Sequence, residues 1–362
     1  MIEIRERDFE GFFSVPFNVY GEKEHYVSPM KADLRKMLSE QNPLFSGSED
    51  FTYLTAFENG TAVGRIVVHI HHASNTRHQT EQASFGFFDC RNCSETARLL
   101  LQSAETWARE QGMSEIAGNF NLTAMQQCGV QTDGFEKPGY TDMVQNPQHI
   151  PQLLRENCFE PYFPMTTFEV DLAEATFTGK ELPDASRYTF QEVEKKGFKQ
   201  RMEEARAVLN DGFEQNPMFV PLTPKEFIFQ AGEMMTILDP RLSSVVKLDG
   251  RPVGVVICIP DLNGFLKATR SKFGISTPFH YLKYRLGRHR AVIIFYSVAS
   301  AQHGLGIMGA ILDQTVSALK GAGYRQLGVT WIADANKPSL RQVEKLGAKP
   351  LHRLHLFKKS LS

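Results

Sequence analysis

The chain has 362 residues, of which 42% are hydrophobic and 22% charged. This is enough material for two ordinary domains, and it excludes a disordered chain. The formal net charge of -1 gives no global attraction for nucleic acid, so no nucleic-acid partner is expected. No uncharged apolar run approaches the roughly 18 residues that a membrane-spanning helix needs. Five scattered cysteines and the lack of a secretory leader predict a cytoplasmic protein without a disulfide framework.

The first clear elements are a hairpin, a helix and a strand. Two hydrophobic runs, 51–57 and 62–71, flank an Asn-Gly pair at 59–60. This pair supplies the positive φ angles that a tight hairpin turn needs. Residues 94–111 repeat apolar side chains at helical spacing and stop at a glycine, which is typical of a helix C-terminus. A short strand is predicted at 115–120.

The second half of the sequence repeats this order. Its hairpin, helix and strand are predicted at 245–248 with 252–259, at 307–320 and at 326–332. Each copy then contains a helix that we expect to begin at an asparagine, Asn146 in the first copy and Asn336 in the second. An asparagine oxygen accepts a free N–H of the first helical turn. Strands at 166–172 and 352–358 close the two copies.

The repeated order predicts an α/β (α+β) fold with two tandem domains, each a mixed, mostly antiparallel sheet flanked by helices. We place these domains at 1–178 and 187–362, with the boundary in the polar stretch 174–186. The alternative is two unrelated α/β domains that share ordinary helix and strand patterns.

One junction in the second copy predicts an anion site. A buried-looking strand at 292–299 runs into the glycine-bearing turn 300–306, and a helix follows at once. The first N–H groups of a helix have no intrahelical partner, and the helix dipole favours negative charge there. Gly304 and Gly306 let the backbone approach a phosphate without an intervening Cβ.

This turn and the elements after it resemble a known family. Gly304-x-Gly306 at a helix start, the strand 329–332 and the Asn336 helix are similar to the GNAT superfamily of CoA-dependent N-acyltransferases. The resemblance implies two GNAT-like domains, with acyl-CoA or acetyl-CoA as co-substrate of the C-terminal one and no metal. The implied cofactor-binding residues are Ser297, Val298, Gln302, Gly304, Leu305, Gly306, Ile307 and Asn336.

Two positions depart from that family. Ala301 stands where the loop usually begins with Gln or Arg, and Val343 stands where many members have a tyrosine general acid. Acyl transfer from a thioester to an amine needs a neutral amine, hydrogen-bond donors for the oxyanion and a proton for the departing thiolate. The backbone N–H near Val298 is the expected oxyanion donor. The candidate catalytic residues are Asp334, Tyr296 and His303. A purely structural role remains the alternative for each.

Most of the chain also resembles the tandem GNAT-like bacterial proteins, some of which resemble bacterial ceramide synthases. The matching pieces include Tyr26-Val27-x-Pro29, Asn42-Pro-Leu-Phe45, Val63-Gly-Arg-Ile66, Gly118-x-x-Asn121, Asp133-Gly-Phe135 and Pro260-Asp-Leu-Asn263. Residues 123–127 depart from the Ser-Thr-Asn-Asp-Glu-like run of those proteins. The resemblance implies an N-acyltransferase that acts on a small-molecule or lipid-like amine, such as a long-chain or hydrophobic amine. The alternative is a non-catalytic acyl-CoA-binding or scaffold protein.

The corresponding junction of the first copy, 87–94, lacks a glycine after Gly86 and places Asp89 where a phosphate would sit. Like charge at this point disfavours CoA. The N-terminal domain is therefore interpreted as a degenerate copy.

For several polar residues of the first copy, the sequence favours a structural role. His69, His71, His72 and His78 lie close in sequence, but no cysteine or carboxylate completes a recognisable metal set. Cys90 and Cys93 have redox-motif spacing without a second such pair, and Cys128 has no assignable base.

A basic and aromatic segment interrupts the second hairpin. Residues 265–290 carry seven Lys or Arg residues and no Asp or Glu. Such interleaving of basic and aromatic residues suits an anionic membrane surface or the phosphates of CoA. The alternative is a solvated surface insertion whose aromatic residues fill a local core.

Overall fold

The computed structural model describes residues 1–21, 24–125, 127–175, 182, 184–231 and 239–361. The strands are β1 (Ile2–Glu6), β2 (Phe51–Glu58), β3 (Thr61–Ile70), β4 (Gln82–Cys90), β5 (Glu115–Gly118), β6 (Val130–Asp133), β7 (Glu160–Asp171), β8 (Tyr188–Glu192), β9 (Ser244–Leu248), β10 (Arg251–Pro260), β11 (Arg290–Val298), β12 (Gln326–Ala333) and β13 (Lys349–Ser360). The helices are α1 (Phe9–Val19), α2 (Lys31–Met37), α3 (His72–His78), α4 (Ser94–Glu110), α5 (His149–Glu156), α6 (Phe198–Gly212), α7 (Pro224–Ala231), α8 (Asn263–Thr269), α9 (Thr277–Gly287), α10 (Ile307–Gly321) and α11 (Lys337–Lys345).

The chain forms two compact units, and both are discontinuous in sequence. Unit 1 consists of residues 1–166, 265–280 and 351–362, and unit 2 consists of 167–264 and 281–350. The predicted boundary stretch 174–186 lies partly outside the described residues. The division into 1–178 and 187–362 stays a prediction about the duplicated segments of the chain.

In unit 1 the strands are ordered β1-β2-β3-β4-β5-β13, with β6 also pairing with β13. The β4–β5 pair is parallel, and the pairs β1–β2, β2–β3, β3–β4 and β5–β13 are antiparallel. The predicted β2–β3 hairpin is confirmed. Its turn residues Asn59 and Gly60 have φ angles of 49° and 78°, as the tightest hairpin turns require.

Helices cover both faces of this sheet. The predicted apolar stripe of α4 is confirmed, with Ala97, Leu100 and Ala104 fully buried in one core. On the other face, Phe12 and Phe13 of α1 pack in a second, aromatic core. Burial on both faces explains why the central strands are hydrophobic throughout instead of alternating.

In unit 2 the strands are ordered β7-β12-β11-β10-β9-β8. Asp249 and Gly250, with φ angles of 49° and 81°, turn β9 into β10, and this second predicted hairpin is confirmed. The β11–β12 pair is parallel. The predicted helix α10 buries Ile311, Leu312 and other apolar side chains of one stripe in the main core of this unit.

The closing strand of each copy belongs to the other compact unit. Residues 351–360 of β13 lie in unit 1, where Phe357 is opposite Gly118 of β5. Residues 167–171 of β7 lie in unit 2, next to β12. The predicted fold class, two tandem domains with mixed sheets and flanking helices, is confirmed, and each copy completes its sheet with a strand from the other.

One predicted helix start is confirmed and its counterpart is wrong. Asn336 caps α11 by accepting the backbone N–H of Ser339 at 3.1 Å. Asn146 does not cap α5, which follows Gln148 without a side-chain cap. The Asn146 side chain instead binds both backbone groups of Gln131 in β6, at 2.7 and 3.1 Å. The pairing with a strand edge takes the amide away from the helix.

Candidate active site

The two parallel strands of unit 2 stop pairing with each other halfway along their length. β11 and β12 pair from Arg290 opposite Gln326 to Ile293 opposite Val329, but β11 continues to Val298 and β12 to Ala333. The Thr330 hydroxyl donates a hydrogen bond to the Ile294 carbonyl at 2.9 Å. Beyond that contact no further β11–β12 pairing is present among the described residues, and we call the region between 294–298 of β11 and 330–333 of β12 the β11–β12 gap.

Backbone alternation directs the N–H and C=O groups of Val298 toward this gap. The N–H of Ala299 donates to the Val253 carbonyl at 2.9 Å, so Ala299 faces β10. Because successive backbone groups of a strand point to opposite sides, the N–H and C=O of Val298 point away from β10 and toward the β12 side. The His303 Nε2 lies 3.0 Å from the Val298 carbonyl oxygen. A ring nitrogen must donate to a carbonyl, so His303 holds that carbonyl and is not free to act as a base through Nε2.

The glycine turn leaves the start of α10 without a side-chain cap. Gly304 and Gly306 have φ angles of 82° and 87°, a region that favours glycine. A Cβ added to Gly304 would meet no atom within 4 Å. Gly306 precedes the helix with no side-chain cap, and the Ala310 N–H makes the bond back to the Gly306 carbonyl at 3.1 Å. The amides before Ala310 therefore have the anion-binding geometry of a helix N-terminus.

Asp211 of α6, which the sequence analysis did not identify, holds this turn in place. Asp211 accepts the Ser300 backbone N–H at 2.5 Å and the Ser300 hydroxyl at 2.9 Å. The close approach of α6 also requires a glycine, because a Cβ at Gly212 would lie 2.0 Å from the Ser297 Oγ. Ser297 itself is buried. The only sequence signal for this clamp is an Asp-Gly pair at the end of a helix.

The Tyr296 side chain lies on the α11 side of the gap. Its ring packs in one cluster with Leu340 and with Val343. Burial raises the pKa of Tyr296 to about 12, and the Ser339 side chain acts in the opposite direction. The phenol therefore stays protonated at neutral pH, which suits a proton donor and excludes a base.

The remaining predicted residues lie around the same junction. Asp334 is half-buried in the turn directly after β12, two residues before the Asn336 cap. Gln302 lies in the single 3-10 turn before the glycines, and its buried Oε1 has no hydrogen-bond partner. Leu305 is exposed and Ile307 is buried in the core of unit 2. The structure thus gathers the predicted residues at the ends of β11 and β12 and the starts of α10 and α11.

The corresponding gap in unit 1 is filled by the chain itself. β4 and β5 pair only from Gln82 to Phe85 of β4. Beyond them, the side-chain oxygen of Asn121 accepts the Phe87 N–H at 2.7 Å, and that of Asn119 lies 3.4 Å from the Phe88 N–H. A Cβ at Gly86 would stand 1.9 Å from the Phe120 carbonyl oxygen. In unit 1, residues 119–121 therefore occupy the strand edge beyond the parallel pairing.

Asp89 belongs to a buried ion-pair network, which corrects the charge argument made from the sequence. The Arg65 guanidinium is fully buried and donates from Nε to Asp89 Oδ2 at 2.7 Å. The Tyr20 hydroxyl donates to the other carboxylate oxygen at 2.7 Å. Asp89 is therefore compensated by a cation and does not repel a phosphate as an isolated charge. The network itself occupies the junction.

His69, Cys90 and Cys128 of unit 1 are buried and have structural surroundings. The His69 Nε2 lies 2.7 Å from the Leu122 carbonyl oxygen, and burial lowers the pKa of His69 to about 3. Burial raises the pKa of the Cys90 thiol to about 12 and also raises the pKa of Cys128. Within the described part of the chain, no group of three or more His, Cys, Asp or Glu residues has the geometry to hold a metal ion.

Comparison with known proteins agrees with this geometry. Residues 207–348 match the model of the acetyltransferase (GNAT) family. Protein YghO of Escherichia coli (strain K12) is 23% identical over 99% of this chain and 94% of its own length. A bacterial ceramide synthase of Caulobacter vibrioides (strain NA1000 / CB15N) is 22% identical over 98% of this chain and 95% of its own length.

Two solved structures share the arrangement over the whole chain. A tandem GNAT protein from the clavulanic acid biosynthesis pathway superposes with a TM-score of 0.59 at 11% identity, covering 100% of this chain and 99% of that protein. A GCN5-related N-acetyltransferase from Sphaerobacter thermophilus gives a TM-score of 0.55 at 12% identity, covering 99% and 96%. The family match at 207–348 and the shared fold indicate an N-acetyltransferase-type protein, and enzymes of the GNAT family use acyl-CoA or acetyl-CoA. Over its whole length the chain has the fold of tandem GNAT proteins.

The buried network of unit 1 gives a stability prediction. In Arg65→Met, Asp89 loses its cation but remains buried, and we expect the free energy of unfolding in urea to fall by about 3–5 kcal/mol. The double variant Arg65→Met with Asp89→Leu should recover part of this loss, because no charge is then left uncompensated. Arg187→Met removes an exposed partner of Asp249 and should change little. An effect of Arg65→Met as small as that of Arg187→Met would contradict the role of the network.

Proposed function

We propose that this protein is a CoA-dependent N-acyltransferase that transfers an acyl group from acyl-CoA to an amine acceptor at the β11–β12 gap of unit 2. The observation that carries the proposal is the early end of the β11–β12 pairing beside an uncapped helix start. Strand edge amides suit the amide groups of a pantetheine arm, and the amides at the start of α10 suit a diphosphate. Both features lie within one stretch, 296–310.

The residues around the gap supply the groups that acyl transfer needs. The amine nitrogen forms a bond to the thioester carbon, the C–S bond breaks and the thiolate takes up a proton. The Val298 N–H would donate to the oxyanion of the tetrahedral intermediate. Tyr296 would supply the proton to the thiolate, since its pKa of about 12 keeps the phenol protonated. Asp334 would receive the amine proton, through water.

His303, Asp211 and Asn336 would act as positioning residues in this proposal. His303 fixes the Val298 carbonyl, and this also fixes the planar peptide group that the carbonyl belongs to. Asp211 fixes the turn before the glycines, and Asn336 fixes the first turn of α11. A preorganised donor stabilises developing charge without reorganising during the reaction.

A lipid-like amine is the proposed acceptor. The support is the similarity over 98% of the chain to a protein named bacterial ceramide synthase, together with the large number of phenylalanines, 27. A non-catalytic acyl-CoA-binding protein is the second candidate, favoured by Val343 in place of the family's tyrosine and by Ala301 at the start of the loop. A CoA site in unit 1 is a weaker alternative, because Asn119 and Asn121 occupy the corresponding strand edge.

The anion site is tested by two isosteric substitutions. Asp and Asn are the L-residues that best tolerate the positive φ angle of Gly304, and they differ by one negative charge. We expect Gly304→Asp to weaken acetyl-CoA binding by at least ~10-fold relative to Gly304→Asn, because like charge repels the diphosphate at a helix start. Calorimetric titration measures the dissociation constant of acetyl-CoA for each variant. Equal affinities in the two variants would contradict a diphosphate at this turn.

Turnover is tested with a panel of acceptors. The full chain is mixed with acetyl-CoA or a long-chain acyl-CoA and with a polar amine, an amino acid ester or a long-chain amino alcohol. We expect thiol release that requires the amine and is fastest with the long-chain acceptor. Binding of CoA without release on any amine would favour the non-catalytic protein, and release on polar amines alone would contradict the lipid-like acceptor.

Tyr296→Phe tests the proton donor. We expect kcat to fall by roughly 10²–10⁴-fold with little change in the KM for acyl-CoA, because the ring and its packing are retained. Wild-type kcat should persist through the range around pH 10, where an ordinary tyrosine loses its proton. Tyr324→Phe is the matched control, since Tyr324 is also buried with a pKa raised to about 12 but lies away from the gap. Equal rates for the two variants would leave Tyr296 as a packing residue.

A further inference from the structure

The exposed apolar surface of this protein is concentrated in one short segment. Within the described part of the chain, eight large hydrophobic residues are exposed, and six of them lie between residues 273 and 286. They are Phe273, Ile275, Phe279, Tyr281, Leu282 and Leu286. Scattered exposed hydrophobic residues need no explanation, but a contiguous patch marks an interaction surface.

The orientation of α9 is the reverse of an ordinary surface helix. Thr277, His280 and Tyr284, which share one face at helical spacing, are half-buried. Phe279, Leu282 and Leu286, spaced three and four residues apart on the opposite face, are exposed. A surface helix of a globular protein normally turns its apolar stripe inward. We call the exposed stripe and the loop 273–276 the α9 patch.

The segment that precedes the patch is firmly held. The Ser271 hydroxyl donates to the Ser28 carbonyl at 2.6 Å, and the Lys31 N–H donates to the Ser271 carbonyl at 2.8 Å. Arg270 and Lys272 lie over aromatic rings of α1, at 5.3 and 5.4 Å from their centroids. Exposure of the patch therefore does not come from a loose terminus, and these contacts hold it in place.

The charge around the patch selects the kind of partner. Lys283 and Arg285 are exposed on α9 beside the apolar stripe, and residues 265–290 contain no Asp or Glu. A basic helix with an exposed apolar face suits an anionic bilayer surface, where the cations meet headgroups and the apolar side chains enter the acyl boundary. The helix has 11 residues, too few to span a bilayer. No described helix is long and apolar enough to do so.

We propose that the α9 patch docks this protein on an anionic lipid surface, with α9 lying in the plane of the interface. The proposal does not rest on the proposed function, because docking uses residues outside the β11–β12 gap. A membrane-bound enzyme would meet a lipid-like acceptor where such acceptors reside, so the two proposals agree without depending on each other.

Sedimentation of the full chain with vesicles tests the proposal. Vesicles of phosphatidylcholine alone are compared with vesicles that also contain phosphatidylglycerol, at low and high salt. We expect binding to the anionic vesicles that weakens as salt rises. Replacing Phe279, Leu282 and Leu286 together by serine should reduce the partition coefficient by at least ~10-fold, because the inserted apolar area is lost. These side chains are exposed, so the fold should be kept, as circular dichroism would verify.

A charge-reversal pair separates a specific patch from general attraction. Lys283→Glu with Arg285→Glu should lower binding by at least ~30-fold, since each basic residue near an anionic surface contributes about 1 kcal/mol and about 1.4 kcal/mol corresponds to a factor of ten. Lys195→Glu with Lys196→Glu makes the same change in net charge at two other exposed positions and should bind nearly as the wild type. Equal losses in the two pairs would overturn the patch. So would unchanged vesicle binding by the triple serine variant, or a wild-type dimer that this variant converts to monomers without loss of vesicle binding.

Discussion

The separation of β11 from β12 is the constraint on which the rest of the site depends. A parallel pair that stops pairing halfway exposes backbone donors and acceptors, and buried or half-buried backbone groups need partners. The helix that follows begins with amides that have no intrahelical partner and no side-chain cap. In unit 2 both sets of groups face the same region. A ligand with amide groups at one end and a diphosphate at the other satisfies both at once.

Unit 1 shows the same problem solved without a ligand. Its parallel pair also ends early, but the side chains of Asn119 and Asn121 supply the missing acceptors. Its strand-to-helix junction contains the Arg65–Asp89 pair instead of a glycine turn. A buried pair of this kind is costly to break but adds little stability over a packed apolar core. It therefore occupies the junction of unit 1 at which unit 2 has the glycine turn.

The features that could be predicted from the sequence are those with local causes. Both hairpins follow from residue pairs that tolerate positive φ, and the α11 start follows from a capping side chain three residues from the amide it accepts. The exchange of closing strands could not be predicted, because an alternating strand pattern encodes which face is buried but not which neighbour it joins. The prediction that Asn146 caps a helix is wrong for a related reason, because its amide pairs with a strand edge that is distant in sequence. Asp211 could not be found because its partner, Ser300, lies 89 residues away.

The proposed proton donor depends on the same geometry. Strand β11 and helix α11 pack against each other beside the gap. A tyrosine on either element can therefore reach the same region. In this chain the helix position is Val343, and Tyr296 of β11 packs in the same apolar cluster. The apolar surroundings that Val343 helps to build keep the phenol protonated. In the proposed mechanism Tyr296 therefore takes the role of a tyrosine on α11, because both positions lie at the same cluster.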